Sequence, residues 1–207
     1  ILDRVLNGRG CQAVLIGPGL GREESSINAV CDLIEKLVES NIPLVIDADA
    51  IRALPSHAWP MGMVGVVTPH STEMEHWLGA SDPVEVLQIR ARRDGISRVV
   101  EDESCVIVRT GAEDELWAPG GRHCFAIGGH ARMSVGGTGD LLSGCIAGLL
   151  AQGMSPWAAA RLGCALMRTA GASAALEYGP GLSASDVPSH IARTLASWTG
   201  QETDRES

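Results

Sequence analysis

The strongest constraint on the fold is a pattern that recurs three times in the first third of the chain. Each time, a short apolar segment of strand length ends in glycine or polar residues. These are residues 13–16, followed by Gly17-Pro18-Gly19-Leu20-Gly21, residues 43–46, followed by Asp47-Ala48-Asp49-Ala50, and residues 63–67, followed by Thr68-Pro69-His70. Residues 23–40 place apolar side chains at helical spacing. This alternation predicts an α/β fold with a mostly parallel central sheet.

The residues that follow the strands are the first candidate site residues. In open parallel α/β sheets, ligands bind outside the carboxyl ends of the strands. Gly19 and Gly21 in the first loop, Asp47 after the second strand and His70 after the third are therefore expected at a ligand-binding edge.

The rest of the chain continues the α/β pattern. Ser71 or Thr72 is expected to cap a helix that ends at Leu78. Further helices are predicted for residues 83–93, 141–151 and about 156–177 and for the segment after Asp186. A further strand is predicted for residues 105–108, and residues 113–126 are predicted to form a hairpin that covers one sheet edge.

A glycine-rich turn, Gly136-Gly137-Thr138-Gly139-Asp140, directly precedes the predicted helix 141–151. Unpaired N–H groups and the helix dipole favour an anion at such an end, and glycines let the backbone approach it closely. A phosphate fits there, and Asp140 could accept a proton from a substrate hydroxyl beside a transferring phosphoryl group. The alternative is that the glycines only make a tight connection and Asp140 only caps the helix.

The helix after this turn carries small residues on neighbouring turns: Gly144, Ala147, Gly148 and Ala151. Small residues at this spacing let a helix press closely against another element. We therefore expect this helix face to belong to the core.

Charge and composition exclude several classes of partner. With 16 basic and 25 acidic side chains, the formal net charge of -9 disfavours nucleic acid but allows one locally held nucleotide. No apolar stretch approaches the roughly 18 to 20 residues that span a bilayer, so no membrane partner is expected. The six cysteines include no C-x-x-C pair. We expect them to be reduced, which favours a cytoplasmic location.

Four of these motifs occur together in the order and spacing of one enzyme family. They are Gly17 to Gly21, Asp47 to Ala50, Thr68-Pro69-His70 with Glu73-Met74, and Gly136 to Asp140. Together with residues 147–153 and 181–186, they make roughly residues 10–195 resemble the ADP- or ATP-dependent (S)-NAD(P)H-hydrate dehydratases. The resemblance implies a three-layer α/β/α fold of the ribokinase-like type.

The same resemblance implies a reaction that repairs nicotinamide cofactors. The terminal phosphoryl group of ADP or ATP would be transferred to the ring hydroxyl of NAD(P)H hydrate, after which phosphate leaves. Asp140 would be the catalytic base and would contact the substrate together with Gly19, Gly21, Asp47 and His70. Mg²⁺ is expected with the adenine nucleotide, and no protein side chain is assigned to a metal. The implied nucleotide-binding residues are Arg109, Thr110, Gly111, Ala112, Glu113, Gly137, Thr138 and Gly139.

The chain departs from the family pattern at three places. Arg109-Thr110 stands where the family usually has Lys-Gly, Ser71-Thr72 where Pro-Gly is common, and His130 represents an asparagine often seen before the glycine turn. Arginine keeps the charge of lysine but not its shape. These departures bear on the choice and affinity of the nucleotide.

The family's domain normally begins well upstream of Ile1. The resemblance therefore implies that residues 1–198 form one ribokinase-like domain without its N-terminal part, while the polar tail 199–207 is expected to be disordered. We expect these residues alone to be weakly active or inactive and to associate into homo-oligomers through an exposed sheet edge and core surface. A fused or separate NAD(P)H-hydrate epimerase is a further expected partner.

Other hypotheses stay open. A small-molecule kinase of the hydroxymethylpyrimidine or hydroxyethylthiazole type would leave its product phosphorylated, and a catalytically silent fragment would bind nucleotide without turnover. The Gly17 loop followed by Asp47 also describes a dinucleotide-binding βαβ unit, although its third glycine comes one residue early. His70, Glu73 and His76 fall three residues apart, but such steps rotate round a helix. We therefore expect no zinc site, with His76 at the surface.

Overall fold

The computed structural model describes residues 10–200, in which six strands form one sheet. The strands lie side by side in chain order, β1 through β6. The first four are parallel, whereas the last two run antiparallel and form the predicted hairpin at one edge. Their bounds are β1 Val14–Ile16, β2 Leu44–Ile46, β3 Gly65–Val67, β4 Cys105–Arg109, β5 Asp114–Ala118 and β6 Arg122–Ala126.

Six α-helices of the described residues cover the two faces of this sheet. They are α1 Glu24–Glu39, α2 Ser71–Leu78, α3 Pro83–Arg93, α4 Thr138–Ala151, α5 Pro156–Tyr178 and α6 Val187–Trp198. Helix α5 begins as predicted, because the Ser155 hydroxyl accepts a hydrogen bond from the N–H of Ala158 (3.3 Å) and Pro156 follows it. No helix among residues 10–200 is long and apolar enough to cross a bilayer.

Strict alternation of side chains along the strands produces two separate cores. In β2, Leu44 and Ile46 face one core and Val45 faces the other; in β4, Ile107 and Val108 divide in the same way. Helices α1, α2 and α3 close the first core, and α4, α5 and α6 close the second. The result is the expected three-layer α/β/α arrangement of the ribokinase-like type.

The strand order also bears on the dinucleotide-binding hypothesis for the Gly17 loop. In that fold the first strand lies inside the sheet, and the cofactor binds where the strand order reverses. Here β1 is an outer strand among the described residues, and the order runs to β6 without a reversal. Within the part of the sheet that the structure describes, the glycine loop therefore does not lie at a switch point of that kind.

The prediction for the small-residue face of α4 is wrong. Gly144, Gly148 and Ala151 are exposed and Ala147 is half-buried, whereas the core-facing side of the helix carries larger side chains. A Cβ built on Gly144 or Gly148 would meet no atom within 4 Å. The physical reason is that α4 is apolar on all sides, so spacing alone cannot identify the side that packs.

The close approach between helices uses a glycine on the partner helix instead. Gly163 of α5 faces Ile146 of α4, and a Cβ at this position would lie 2.6 Å from Ile146 Cγ1. That distance is shorter than any ordinary carbon contact, so a side chain here would push the helices apart. Gly163 therefore sets the separation of α4 and α5.

Candidate active site

The carboxyl ends of β1, β2, β3 and β4 meet at one edge of the sheet because these strands are parallel. Gly19 and Gly21 lie in the loop after β1, Asp47 directly after β2, and His70 three residues after β3. Arg109 ends β4. The structure thus brings the predicted substrate-side and nucleotide-side segments to the same edge.

The loop after β1 packs directly against the end of β2. Gly17 has a φ of 143°, and a Cβ there would lie only 1.7 Å from the carbonyl oxygen of Asp47, so only glycine fits. Beyond the glycines, the Arg22 Nε lies 3.0 Å from Asp49 Oδ1. These contacts hold the glycine loop beside the polar end of β2.

Asp47 is a buried carboxylate between two strands and a helix. Its Oδ1 accepts a hydrogen bond from the N–H of Ala48 (2.9 Å), and only 7% of the residue is exposed. Burial raises the pKa of this carboxyl above its ordinary value of 3.8, and the neighbouring hydroxyls of Ser143 and Thr68 partly oppose the rise. The proximity to Ser143 shows that the start of α4 lies against the end of β2.

His70 caps α2, which corrects the expectation that Ser71 or Thr72 would do so. Its Nδ1 accepts hydrogen bonds from the N–H groups of Thr72 (3.1 Å) and Glu73 (3.3 Å), and Glu73 Oε2 accepts one from the His70 N–H (2.9 Å). The geometry is a capping box in which an imidazole nitrogen replaces the usual hydroxyl oxygen. Because both donors are backbone N–H groups, Nδ1 must carry a lone pair here.

The strand ends of β3 and β4 are joined just beyond the sheet. The Thr110 N–H donates to the Pro69 carbonyl (2.9 Å), and His70 forms a parallel bridge with Thr110. Thr110 opens the turn that connects β4 with β5. His70 on the proposed substrate side and the turn on the proposed nucleotide side are therefore direct neighbours.

Arg109 is held on the sheet surface by side chains of the hairpin. Its guanidinium pairs with Glu115 and lies 5.7 Å from the centre of the Trp117 ring. Glu115 is also 2.8 Å from Nε2 of His123. The Arg109 side chain remains 43% exposed, so part of it stays accessible to a ligand.

Helix α4 begins as the glycine motif predicts. Gly137 has a φ of 93° and precedes the helix, and no side chain caps this end. The Thr138 hydroxyl donates to the carbonyl of Met133 (2.9 Å), which folds the preceding loop back on the helix start. Asp140 lies in the first turn with an exposed side chain. The uncapped N–H groups and an accessible carboxylate are therefore adjacent, as phosphoryl transfer requires.

A cavity of about 330 Å³ opens beside these loops. It is lined by residues from the loops after β1 and β2 and from the start of α2, among them Arg22, Asp49, Arg52, His70, Glu73 and His76. Arg52 is exposed and forms no ion pair with any of the described residues. The cavity therefore contains a cationic side chain that no carboxylate of the described residues neutralises by an ion pair.

The described side chains also bear on whether the protein itself could bind a metal ion. Within residues 10–200, no group of three or more His, Cys, Asp or Glu side chains is arranged to hold a metal ion. His76, which the sequence placed at the surface, is exposed.

Two residues with direct contacts to the site were absent from the sequence-based predictions. Ser143 lies beside Asp47, and its hydroxyl donates to the carbonyl of Asp140 (3.1 Å). Arg168 is a buried arginine of α5 that contacts the turn after β4. A signal for Arg168 does exist, because it is a charged residue among the apolar residues of a predicted helix.

Comparison with known proteins agrees with this geometry. Residues 4–193 match the model of the NAD(P)H-hydrate dehydratase family. The bifunctional NAD(P)H-hydrate repair enzyme Nnr of Methanopyrus kandleri is 30% identical over 188 residues, which are 90% of this chain and 36% of that protein. The chain thus spans about a third of the length of this curated relative.

Solved structures share the same architecture. An ADP/ATP-dependent NAD(P)H-hydrate dehydratase from Bacillus subtilis, co-crystallised with ATP and Mg²⁺ and soaked with CoA, superposes with a TM-score of 0.69. It is 25% identical, and the match covers 92% of this chain and 67% of that one. Hydroxyethylthiazole kinase from Pyrococcus horikoshii has a TM-score of 0.63 at 18% identity, with 88% and 72% covered, and shares the fold alone.

The family match spans every strand and helix end that carries a candidate site residue, from Gly19 to Asp140. The glycine loop, the buried aspartate, the histidine and the glycine-aspartate turn all lie at the edge of the sheet where the parallel strands have their carboxyl ends. The chain belongs to the NAD(P)H-hydrate dehydratase family.

Proposed function

We propose that this chain dehydrates (S)-NAD(P)H hydrate to NAD(P)H with ADP or ATP as phosphoryl donor. The observation that carries the proposal is the position of Asp140, an exposed carboxylate in the first turn of the uncapped helix α4. Such a helix end favours phosphate. Membership of the dehydratase family supports the choice of substrate.

The chemistry follows from the poor leaving ability of hydroxide. The ring hydroxyl oxygen attacks the terminal phosphorus of the nucleotide while Asp140 accepts the hydroxyl proton. The bond from that phosphorus to its bridging oxygen breaks, so ADP leaves when ATP is the donor and AMP leaves when ADP is the donor. The carbon–oxygen bond then breaks to release phosphate, a proton leaves the neighbouring ring carbon, and the double bond of the nicotinamide ring is restored.

The two ligands would occupy neighbouring parts of the same edge. Gly19, Gly21, Asp47, His70 and Asp140 would line the substrate side. Because Asp47 is buried among hydroxyls, its contribution would be to hold the substrate-side backbone in place. The nucleotide side would be formed by residues 109–113 in the turn after β4 and by Gly137, Thr138 and Gly139, whose N–H groups lie at the start of α4.

Mg²⁺ would enter this site with the nucleotide. Magnesium commonly keeps several waters and is held by substrate phosphates with one or two carboxylates. The described residues fit that mode, because the nucleotide side offers an exposed carboxylate at Glu113 but no cluster of protein ligands. When bound, the ion would neutralise charge on the phosphates.

A direct assay tests the proposal. The chain is incubated with NADH hydrate or NADPH hydrate, Mg²⁺ and either ADP or ATP. The expected result is return of the near-ultraviolet absorbance of the reduced nicotinamide ring together with release of inorganic phosphate, at the low rate expected for these residues alone. A product that keeps the phosphoryl group would instead identify a small-molecule kinase, the second candidate.

Hydroxyethylthiazole kinase shares the fold of this chain. The kinase hypothesis is therefore tested with hydroxymethylpyrimidine and hydroxyethylthiazole as substrates. A third outcome, nucleotide binding without any turnover, would identify a catalytically silent fragment. The assay separates all three, because only the dehydratase releases phosphate and restores the absorbance.

The oligomeric state, the compartment and the partner enzyme are also proposals. We propose one ribokinase-like domain that forms homo-oligomers in the cytoplasm and works with a fused or separate NAD(P)H-hydrate epimerase. The Methanopyrus relative is called bifunctional, which supports a fused partner activity. The six cysteines lie unpaired in the structure, which suits a reducing compartment.

A further inference from the structure

A buried arginine in the middle of α5 has all three of its guanidinium nitrogens engaged within the protein. Arg168 is 7% exposed. Its Nε donates to Asp114 Oδ2 (2.9 Å), and its Nη2 lies 2.8 Å from Asp114 Oδ1 in an ion pair. Its Nη groups also donate to the carbonyls of Gly111 (3.0 Å), Ala112 (2.7 Å) and Gly128 (2.9 Å). Each nitrogen therefore already has a partner in the protein.

Two of the acceptors belong to the turn proposed to contact nucleotide, and a third, Gly128, lies in the loop that leads to the other such segment. Gly111 and Ala112 lie in the turn after β4, and Asp114 Oδ1 also accepts from the Gly111 N–H (3.3 Å). Gly128 begins the loop that leads to the glycine turn before α4. One side chain of α5 therefore joins the turn at residues 109–113 to the segment at residues 128–140.

The next turn of α5 fixes the second segment again. Gly171 receives the side chain of Met133, and a Cβ at this position would lie 2.2 Å from Met133 Cε. The Met133 carbonyl in turn accepts the hydroxyl hydrogen bond of Thr138 at the start of α4. Arg168 and Gly171 are three residues apart on the same side of α5. Arg168 binds the turn after β4, and Gly171 leaves space for the Met133 side chain of the segment before α4.

Stability alone does not explain this arrangement. A buried Arg–Asp pair is often no more stable than apolar residues of the same volume. The distinguishing feature is that three of the four hydrogen bonds of Arg168 end on main-chain carbonyls of a turn and a loop. Several hydrogen bonds from one planar guanidinium fix the relative positions of their acceptors and also add binding energy.

We propose that Arg168 is a positioning residue that sets the distance between the turn at residues 109–113 and the glycine segment before α4, and so preforms the nucleotide site. This inference deepens the proposed function and rests on it. Arg168 does not touch the nucleotide. Its loss affects nucleotide binding because the two segments lose their common support.

The first test replaces Arg168 by lysine, which keeps the charge but loses the planar set of five donors. Calorimetric titration of the full chain with ADP and Mg²⁺ is expected to show a dissociation constant raised by roughly tenfold or more. Titration with NADH hydrate is expected to stay within about twofold of the wild type, because the substrate side makes no contact with Arg168.

The matched control is Arg90→Lys. Arg90 of α3 is as deeply buried and pairs with Asp102 at 2.6 Å, but Asp102 precedes β4 at the opposite end of the sheet. Both variants are expected to lower the Tm, whereas only Arg168→Lys weakens ADP binding. Equal ADP affinity in the two variants, with similar losses of Tm, would make Arg168 a stabilising residue only.

A double variant covers the case in which Arg168→Lys does not fold. Arg168→Met combined with Asp114→Leu removes both buried charges and leaves apolar groups of similar volume. It is expected to fold and still to bind ADP about tenfold more weakly; wild-type ADP affinity in this variant would overturn the inference. If the wild-type chain binds neither ADP nor ATP, the proposed function fails instead, so the two failures are distinct.

Discussion

Asp140 and Asp47 have opposite surroundings, although both lie at the carboxyl edge of the sheet. Asp140 is exposed at an uncapped helix start, where its oxygens can reach a ligand. Asp47 is buried and bonded to the neighbouring backbone. A base must reach the proton that it removes, so accessibility supports Asp140 rather than Asp47 as the proposed base.

Asp140→Asn tests this assignment. The amide keeps the shape of the side chain but cannot accept the hydroxyl proton, so turnover of NADH hydrate is expected to fall by about a hundredfold or more. Binding of ADP, measured by calorimetry, should change little, because the N–H groups at the start of α4 are main-chain groups. Unchanged turnover would eliminate Asp140 as the base.

Asp47→Asn is expected to change how the stability of the fold depends on pH. Burial raises the pKa of Asp47 in the folded chain, so the folded state binds the proton more tightly than the unfolded state. Stability from this group is therefore complete below the ordinary carboxyl pKa and is lost as pH rises through the raised value. The asparagine variant, which carries no charge, should escape this loss.

Thermal unfolding of both proteins between pH 4 and neutrality checks the sign. The Tm difference in favour of Asp47→Asn should grow as pH increases. A constant difference across this range would show that Asp47 titrates as an ordinary carboxyl in the folded chain.

At the scale of elements, the separation of α4 and α5 depends on which helix carries the glycine. Gly163→Ala is expected to destabilise the fold by about 1–3 kcal/mol, because its Cβ would overlap Ile146. Gly144→Ala is the matched control, since it adds a Cβ in open space on the adjoining helix. It should stabilise by up to about 1 kcal/mol through helix propensity. Denaturant unfolding of the two variants measures both effects, and equal changes would contradict the assigned packing.

Elements with a clear period or a strong breaker could be predicted from the sequence. The helix at Pro83–Arg93, the start of α5 at Pro156 and the hairpin around Pro119 all agree with prediction. Proline fixes its own φ, and glycine permits turn conformations that other residues avoid. The cap of α2 could not be predicted in this way. Histidine is not among the usual capping residues, so the sequence favoured the hydroxyls of Ser71 and Thr72 as caps.

Contacts between residues far apart in the chain could not be predicted from the sequence, for a different reason. The position of Asp140 in a first helical turn follows from local glycines. Arg168 and Asp114 are 54 residues apart in the chain, and no local rule pairs them. The packing side of α4 was also undetermined, because a helix that is apolar all round has no polar face to mark the solvent.

At the scale of the whole molecule, the outer side of α4 is a partly uncovered apolar surface. It carries exposed Gly144 and Gly148 and half-buried Leu141 and Leu149, and α4 contacts β1, an outer strand among the described residues. Exposed apolar patches and open strand edges both favour association. This surface supports the proposal that the chain forms homo-oligomers.

Gly148→Lys tests that proposal by placing a charge on this surface. Size-exclusion chromatography with light scattering over a range of concentrations should show association of the wild-type chain and its loss in Gly148→Lys. Ile89→Lys, on the opposite face of the sheet at a side chain that is 57% exposed, should associate like the wild type. A wild-type chain that stays monomeric at every concentration would contradict the proposal.

The bridge between His70 and Thr110 has a consequence for how such enzymes can diversify. The hydrogen bond from Thr110 to Pro69 uses main-chain atoms only, so ordinary side-chain replacements leave it in place. On the proposed function, this main-chain contact would keep the distance between phosphoryl donor and acceptor the same when side chains change. Side chains on either side of it could then change the preference for a nucleotide or a hydrated cofactor without changing that distance.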